Sequence, residues 1–301
     1  NGQLGSCVIT CSYEARAFGI KTGMRLTEAR QLCPHLIQCP SRPTVYAGVS
    51  TQIMQILETV SPDIEIFSVD EAFLDLSRCR NLYTHAKAVG KQIQQAIVSA
   101  TGLTCSIGIS GDKTTAKIGS KRNKPNGVTV IPPWLSASTL APLKVTEICG
   151  ISTGIARFLS QYSVYYCGQM ATLPIDVMAR RFGNLGRRLW YMCLGEDPDP
   201  VKTSERPPKS MGHGKVMPPN TRDRHVIFNF LGHMSEKAAL RLRAHDMTSQ
   251  HFFIGLRLEQ GWIVEQYKTV QATDDGALIF QLAKAMVLQR WHGEGVFQCQ
   301  V

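Results

Sequence analysis

Apolar residues along this chain fall into runs of two kinds. Ile64–Phe67, Ala72–Leu76, Leu103–Ile109 and Val128–Ile131 are short stretches rich in Ile, Val, Phe and Leu. They have the length and composition of strands. Tyr46, Val49, Ile53, Ile56, Leu57 and Val60 recur at helical spacing, as do Leu82, Ala86, Val89, Ile93, Ala96, Ile97 and Ala100, so two amphipathic helices are expected. Lys113–Arg122 reads as a third helix, closed by the turn Pro125-Asn126-Gly127. The order over residues 44–131 is α-β-β-α-β-α-β. In such a layer helices can cover one sheet face and leave the other open. A first strand before residue 1 would complete the sheet.

On either side the pattern changes. Cys7–Thr10 is strand-like, and a short helix, Leu26–Leu32, stops before Pro34. Residues 133–198 are helical in pattern and short in period. Residues 199–208 are charged and rich in proline, the best linker candidate. Beyond them the expected order is strand, helix, two strands, helix, strand. Met211–Val216, Phe252–Leu258 and Trp262–Val270 are strand-like; Val226–Ala244 and Ala277–Trp291 are helix-like.

Charge adds a partner to this outline. With 33 Lys and Arg against 23 Asp and Glu, the net charge is +10, which points to a polyanion, nucleic acid first. From residue 205 onward the counts are 12 basic and 9 acidic. Arg257 and Lys268 would therefore have to share one sheet face to matter. No window of about 18 consecutive apolar residues occurs, so no membrane span is expected. The ten cysteines form no C-x-x-C pair and read as free thiols of a reducing compartment. The histidine spacing matches no zinc pattern.

Asp70 and Glu71 stand between the first two strand-like runs, at or beside the turn of an expected hairpin. Two carboxylates converging at a turn suit a hard divalent cation; an ordinary polar turn gives the same sequence. Lys113, Lys117 and Lys121 share one helical face, facing either phosphates or solvent. Tyr13 and Arg16 share a helical turn, for a phosphate grip or for simple packing. Gly150-Ile151-Ser152-Thr153-Gly154 reads as a corner between two short helices. It either offers backbone N–H groups to a phosphate or merely turns the chain.

Taken in order, several stretches resemble the Y-family, translesion DNA polymerases of the bacterial DNA polymerase IV type. They are Thr10-Cys11-Ser12-Tyr13-Glu14-Ala15-Arg16, Phe18–Met24, Ser68-Val69-Asp70-Glu71-Ala72-Phe73-Leu74-Asp75, Ser106–Ser110, Ala116–Ser120, Asn123–Gly127, the Gly150 corner and Pro208–Gly212. The resemblance implies an α+β multidomain protein, a right-hand polymerase with a ferredoxin-like palm, small fingers, a helical thumb and an α/β little finger. Residues 1–41 would be fingers, 42–131 palm, 132–198 thumb with a helix-hairpin-helix, 199–208 linker and 209–301 little finger. It further implies two Mg²⁺ held by Asp70 and Glu71, Asp70 bridging both. Thr10, Tyr13, Arg16 and Lys124 would contact the incoming triphosphate, and Cys7 and Ile9 would lie over the nascent base pair. Gly150, Ser152, Gly154, Lys209 and Ser210 would contact DNA. Implied partners are primer-template DNA, deoxynucleoside triphosphates and the sliding clamp, for a cytoplasmic, nucleoid-associated monomer of bacterial type without a membrane.

The family's palm opens with a strand that carries a further metal-binding Asp, then an aromatic residue that rejects ribonucleotides. Both would lie before residue 1. Asp75 is no substitute, being five residues beyond Asp70 on the outgoing strand. Cys149-Gly150-Ile151-Ser152 stands where the family usually has Pro and a second Gly. Two other readings compete: a catalytically inactive DNA-binding relative, and a nucleotidyl cyclase with a similar palm.

Overall fold

A computed structural model describes residues 7–82, 85–204 and 207–301. It divides into two compact units, residues 41–205 and residues 1–40 with 206–301. In chain order the elements are α1 (Tyr13–Ala17), α2 (Leu26–Leu32), α3 (Pro43–Glu58), β1 (Ile64–Ser68), β2 (Glu71–Leu74), α4 (Ala86–Thr101), β3 (Ile107–Ile109), α5 (Lys113–Arg122) and β4 (Val128–Val130). They continue with α6 (Ser136–Leu140), α7 (Thr153–Ser160), α8 (Ile175–Cys193), β5 (Gly214–Thr221), α9 (Arg224–Ala244), β6 (Ser249–Leu258), β7 (Gly261–Thr273), α10 (Gly276–Arg290) and β8 (Val296–Gln300).

The unit of residues 41–205 opens with a layer of α3, α4 and two small sheets. β1 pairs antiparallel with β2, and β3 pairs parallel with β4. Met54 and Leu57 of α3 and Val89, Ile93 and Ile97 of α4 form a core against Ile64, Ala72, Leu74 and Ile107. Burying side chains of this size contributes about 1.5–3 kcal/mol each. Successive strand residues face opposite ways. Gly108 therefore points away from that core, and there α5 lies so close that an added Cβ would collide with the Ala116 carbonyl. The expectation of one open sheet face fails at this point, because α5 covers the second face of β3 and β4. β3 is also shorter than the run Leu103–Ile109, since its ladder follows the three residues of β4.

Residues 133–198 pack a second, helical core from Leu140, Leu159, Met170, Met178, Leu189 and Met192, which Ile118 of α5 joins. The corner before α7 departs from the expected pair of helices. Val145–Glu147 is one 3₁₀ turn, and only α7 is an α-helix. Gly150 makes the bend at φ 97°, a left-handed conformation open to glycine at little cost.

In the other unit, residues 7–40 bury Ala15, Ile20, Ala29 and Cys33. Cys7–Thr10 is not a strand. Among the described residues it makes a single bridge, Cys7 to Arg25, and the partner segment enters α2 at the next residue, Leu26. Residues 207–301 form a sheet of order β5-β8-β6-β7. Ile227, Leu231 and Met234 of α9 and Ile279, Ala283 and Met286 of α10 are buried with the sheet residues Phe252, Ile254 and Leu256. β5 lies later than Met211–Val216 and includes Pro218 and Pro219, tolerated because it is an edge strand. Glu205 and Arg206 of the expected linker lie outside the described residues. No helix among the described residues is long and apolar enough to cross a membrane.

Candidate functional site

The acidic pair sits at the tip of the β1–β2 hairpin. Ser68 pairs with Glu71 across a turn formed by Val69 and Asp70, after a register irregularity at Phe67. Asp70 and Glu71 are both exposed. The Ser68 hydroxyl donates to Asp70 Oδ1 at 2.6 Å and accepts the Asp70 backbone N–H at 3.4 Å. This local ring of contacts holds the turn and one carboxylate together.

One hairpin face carries Glu65, Phe67, Glu71 and Phe73. The two rings meet edge to face at 5.5 Å. Two lysines of α5, one turn apart, reach this face. Lys117 Nζ is 2.8 Å from Glu71 Oε2 and 4.2 Å from the Phe67 ring centroid. Lys113 Nζ is 2.8 Å from both Glu65 Oε2 and Asp199 Oδ2, with its side chain 8% exposed. Two of the three lysines at helical spacing are therefore ion-paired within this unit, while Lys121 is exposed. Spacing shows that side chains share a face; it does not show what the face meets.

The base of the hairpin is tied further. The Lys202 backbone N–H donates to Glu65 Oε2, and Lys202 Nζ lies 2.9 Å from Asp199 Oδ2. Arg188 of α8 makes two hydrogen bonds to the buried Asp197, which also accepts from Thr114. Burial works to raise the Asp199 carboxyl. The hydrogen bonds from Lys113 and Lys202 and the charge of Arg188 outweigh it and hold the group at about 2. Asp112 caps α5 by accepting from the Thr115 N–H, and burial raises its carboxyl despite that bond.

Asp75 belongs to the opposite end of the hairpin, where Oδ1 accepts the Ser77 N–H at 2.8 Å and its own N–H donates to the Asp63 carbonyl. Among the described residues no group of three His, Cys, Asp or Glu side chains is placed to hold a metal ion. The tip fits a hard divalent cation in the kind of donor, two exposed carboxylates, and is a partial set in number.

Tyr13 and Arg16 do share a face of α1, the guanidinium lying 5.1 Å from the ring centroid. Both are exposed, as are Thr10 and Cys7, and Ile9 is 70% exposed. These residues lie in the unit containing 1–40, whereas Asp70, Glu71 and the exposed Lys124 lie in the unit of 41–205. Gly150, Ser152 and Gly154 form one exposed corner, and Lys209 and Ser210 are exposed. On the sheet of residues 207–301, His251 pairs with Lys268, Phe253 with Gln266 and Arg257 with Trp262. All six are exposed, and strand alternation puts them on the face away from the helices. Arg257 and Lys268 thus share the sheet face on which their relevance depended.

Sequence reasoning missed Glu65, Asp197, Asp199 and Arg188. A faint signal existed: Glu65 interrupts the apolar run Ile64–Phe67 with a charge, which on a strand demands a partner.

The chain matches the impB/mucB/samB family over residues 1–121 and that family's C-terminal domain over residues 208–301. It is 33% identical to a DNA polymerase IV of Moorella thermoacetica, over 94% of this chain and 72% of that protein. It is 32% identical to a DNA polymerase IV of Methanoculleus marisnigri, over 96% of this chain and 80% of the relative. Similarity to the Streptomyces coelicolor DNA polymerase IV covers 61% of that longer protein at 31% identity. Among solved structures, a Y-family DNA polymerase chimera, Dbh-Dpo4(243-245)-Dbh, matches with a TM-score of 0.84 and 25% identity, over 99% of this chain and 87% of the other. An insertion ternary complex of Dbh DNA polymerase shares the fold at a TM-score of 0.63 and 24% identity, over 100% of this chain and 87% of the other.

Proposed function

The chain belongs to the Y-family DNA polymerases of the DNA polymerase IV type, and from that premise we propose that it copies DNA past damaged bases by two-metal nucleotidyl transfer. The observation that carries the reading is the exposed Asp70–Glu71 pair on a short turn whose hairpin base is anchored by buried ion pairs. Asp70 and Glu71 would hold Mg²⁺, which when bound neutralises triphosphate charge and acidifies the primer 3′-hydroxyl. The chain's own part is positioning. Ser68 fixes the Asp70 carboxylate, and Lys113 fixes the strand that leads to it. Tyr13 and Arg16, with Thr10 and Lys124, offer hydroxyl and cationic groups suited to a triphosphate. Exposed Cys7 and Ile9 suit contact with the nascent base pair.

DNA itself would be held without reading its sequence. The Gly150–Gly154 corner leads into the N-terminus of α7, a place for backbone phosphate. Lys209, Ser210, Arg257 and Lys268 add polar and cationic groups from residues 209–301. The division into fingers 1–41, palm 42–131, thumb 132–198, linker 199–208 and little finger 209–301 is part of the same proposal. So are the sliding clamp as partner, a monomeric state and a bacterial cytoplasmic location.

The test is extension of a primer past an abasic template site by the full-length gene product with Mg²⁺. Extension supports the reading. A protein that binds primer-template yet extends nothing supports instead the DNA-binding relative without chemistry, a reading motivated by the two-carboxylate donor set.

A further inference from the structure

Glu71 is a proposed metal ligand, yet its Oε2 already has a cation 2.8 Å away, Lys117 Nζ. The two side chains differ in access. That of Lys117 is 14% exposed and rests over the Phe67 ring, while that of Glu71 is 44% exposed. Among the described residues Glu71 is the only carboxylate in ion-pair range of Lys117, whereas Lys113 has both Glu65 and Asp199.

We propose that Lys117 is a resident counter-ion of Glu71 that competes with the divalent cation for the same carboxylate and so sets the metal concentration at which the hairpin tip loads. The proposal rests on Glu71 being a metal ligand. Its physical basis is twofold. The ammonium occupies one carboxylate oxygen that a cation would otherwise use. Its charge also repels any second cation brought beside it, more strongly here than in bulk water because Lys117 is largely buried. Lys117 has a place to stay when Glu71 turns to a metal, since the electron-rich face of Phe67 attracts the ammonium without Glu71. Lys113, one turn away, is more buried and is held by Glu65 and Asp199 together, with the Phe73 ring centroid 5.7 Å off, so no single carboxylate governs it.

The test is a Mn²⁺ titration of the metal-free protein, read by paramagnetic broadening of the Ala72 methyl resonance next to Glu71. Lys117→Met should reach half-broadening at about threefold to tenfold less Mn²⁺ than wild type, the range expected for removing a competing, partly exposed ion pair. Lys117→Gln repeats the measurement with a polar side chain should Lys117→Met fail to fold. Lys117→Arg, which keeps the charge, should stay near wild type, and Glu71→Gln should need more Mn²⁺. If the neutral variants need as much Mn²⁺ as wild type, or more, while Glu71→Gln binds weakly, the counter-ion proposal is overturned and Glu71 remains a ligand. If Glu71→Gln broadens like wild type, the reading of Glu71 as a ligand fails and the proposal falls with it.

Discussion

The two ends of the β1–β2 hairpin carry the same interaction to different ends. At the base Lys113 meets Glu65 at 2.8 Å, and at the tip Lys117 meets Glu71 at 2.8 Å. Both lysines project from α5, one helical turn apart. At the base the lysine and glutamate side chains are 8% and 14% exposed and Asp199 joins them; at the tip the values are 14% and 44%, with one partner each way. Distance therefore does not assign a role. Burial and redundancy do: a closed, multiply satisfied pair fixes the strand, and an open, single pair can be exchanged for another cation.

The largest effect should fall at the tip on activity. Glu71→Ala is expected to lower primer extension by about 10³-fold, on the order of 4 kcal/mol of barrier, with primer-template binding unchanged in a filter or anisotropy assay. Equal losses of binding and extension would give the tip a structural role and erase the contrast.

Next comes stability at the base. Lys113→Met takes the shared cation from Glu65 and Asp199. Asp199 keeps Lys202 and Arg188 and Glu65 keeps the Lys202 N–H, so the cost in denaturant unfolding should be about 2 kcal/mol. Lys117→Met, by the same measurement, should cost no more than about 1 kcal/mol. Similar costs for the two substitutions would mean that base and tip hold their lysines equally firmly.

The acid range offers a smaller probe. The folded Asp199 carboxyl titrates at about 2, below its ordinary value of 3.8. The folded state thus binds fewer protons than the unfolded chain between those values, and its stability falls as pH drops from about 4 towards 2. After solvent screening the loss is on the order of 1 kcal/mol. It should shrink in Lys113→Met, and an undiminished loss in that variant would separate Asp199 from the base network.

Much of this fold was legible because it is local. The helices Leu26–Leu32 and Lys113–Arg122 agree with the sequence reading residue for residue, since their spacing and their stop signals lie within the elements themselves. The hairpin at Asp70–Glu71 was visible for the same reason, two apolar runs flanking a polar turn. Strand extent was less visible, because a ladder ends where its partner ends, as at Cys7 and at Ile107–Ile109. The ion pairs at the base were the least legible. Lys113 is 48 positions from Glu65 and 86 from Asp199, so the pattern around each residue held no trace of the other two. The lysine spacing was read correctly as a shared face, but the carboxylates it meets come from distant segments.

The most direct measurement is single-turnover extension of a primer opposite an abasic site as Mg²⁺ is titrated, with wild-type full-length protein and Asp70→Ala side by side. Extension should rise with Mg²⁺ in the wild type and be lost in Asp70→Ala, with DNA affinity preserved. Extension that survives in Asp70→Ala at the same Mg²⁺ would contradict a metal-binding role for the hairpin tip.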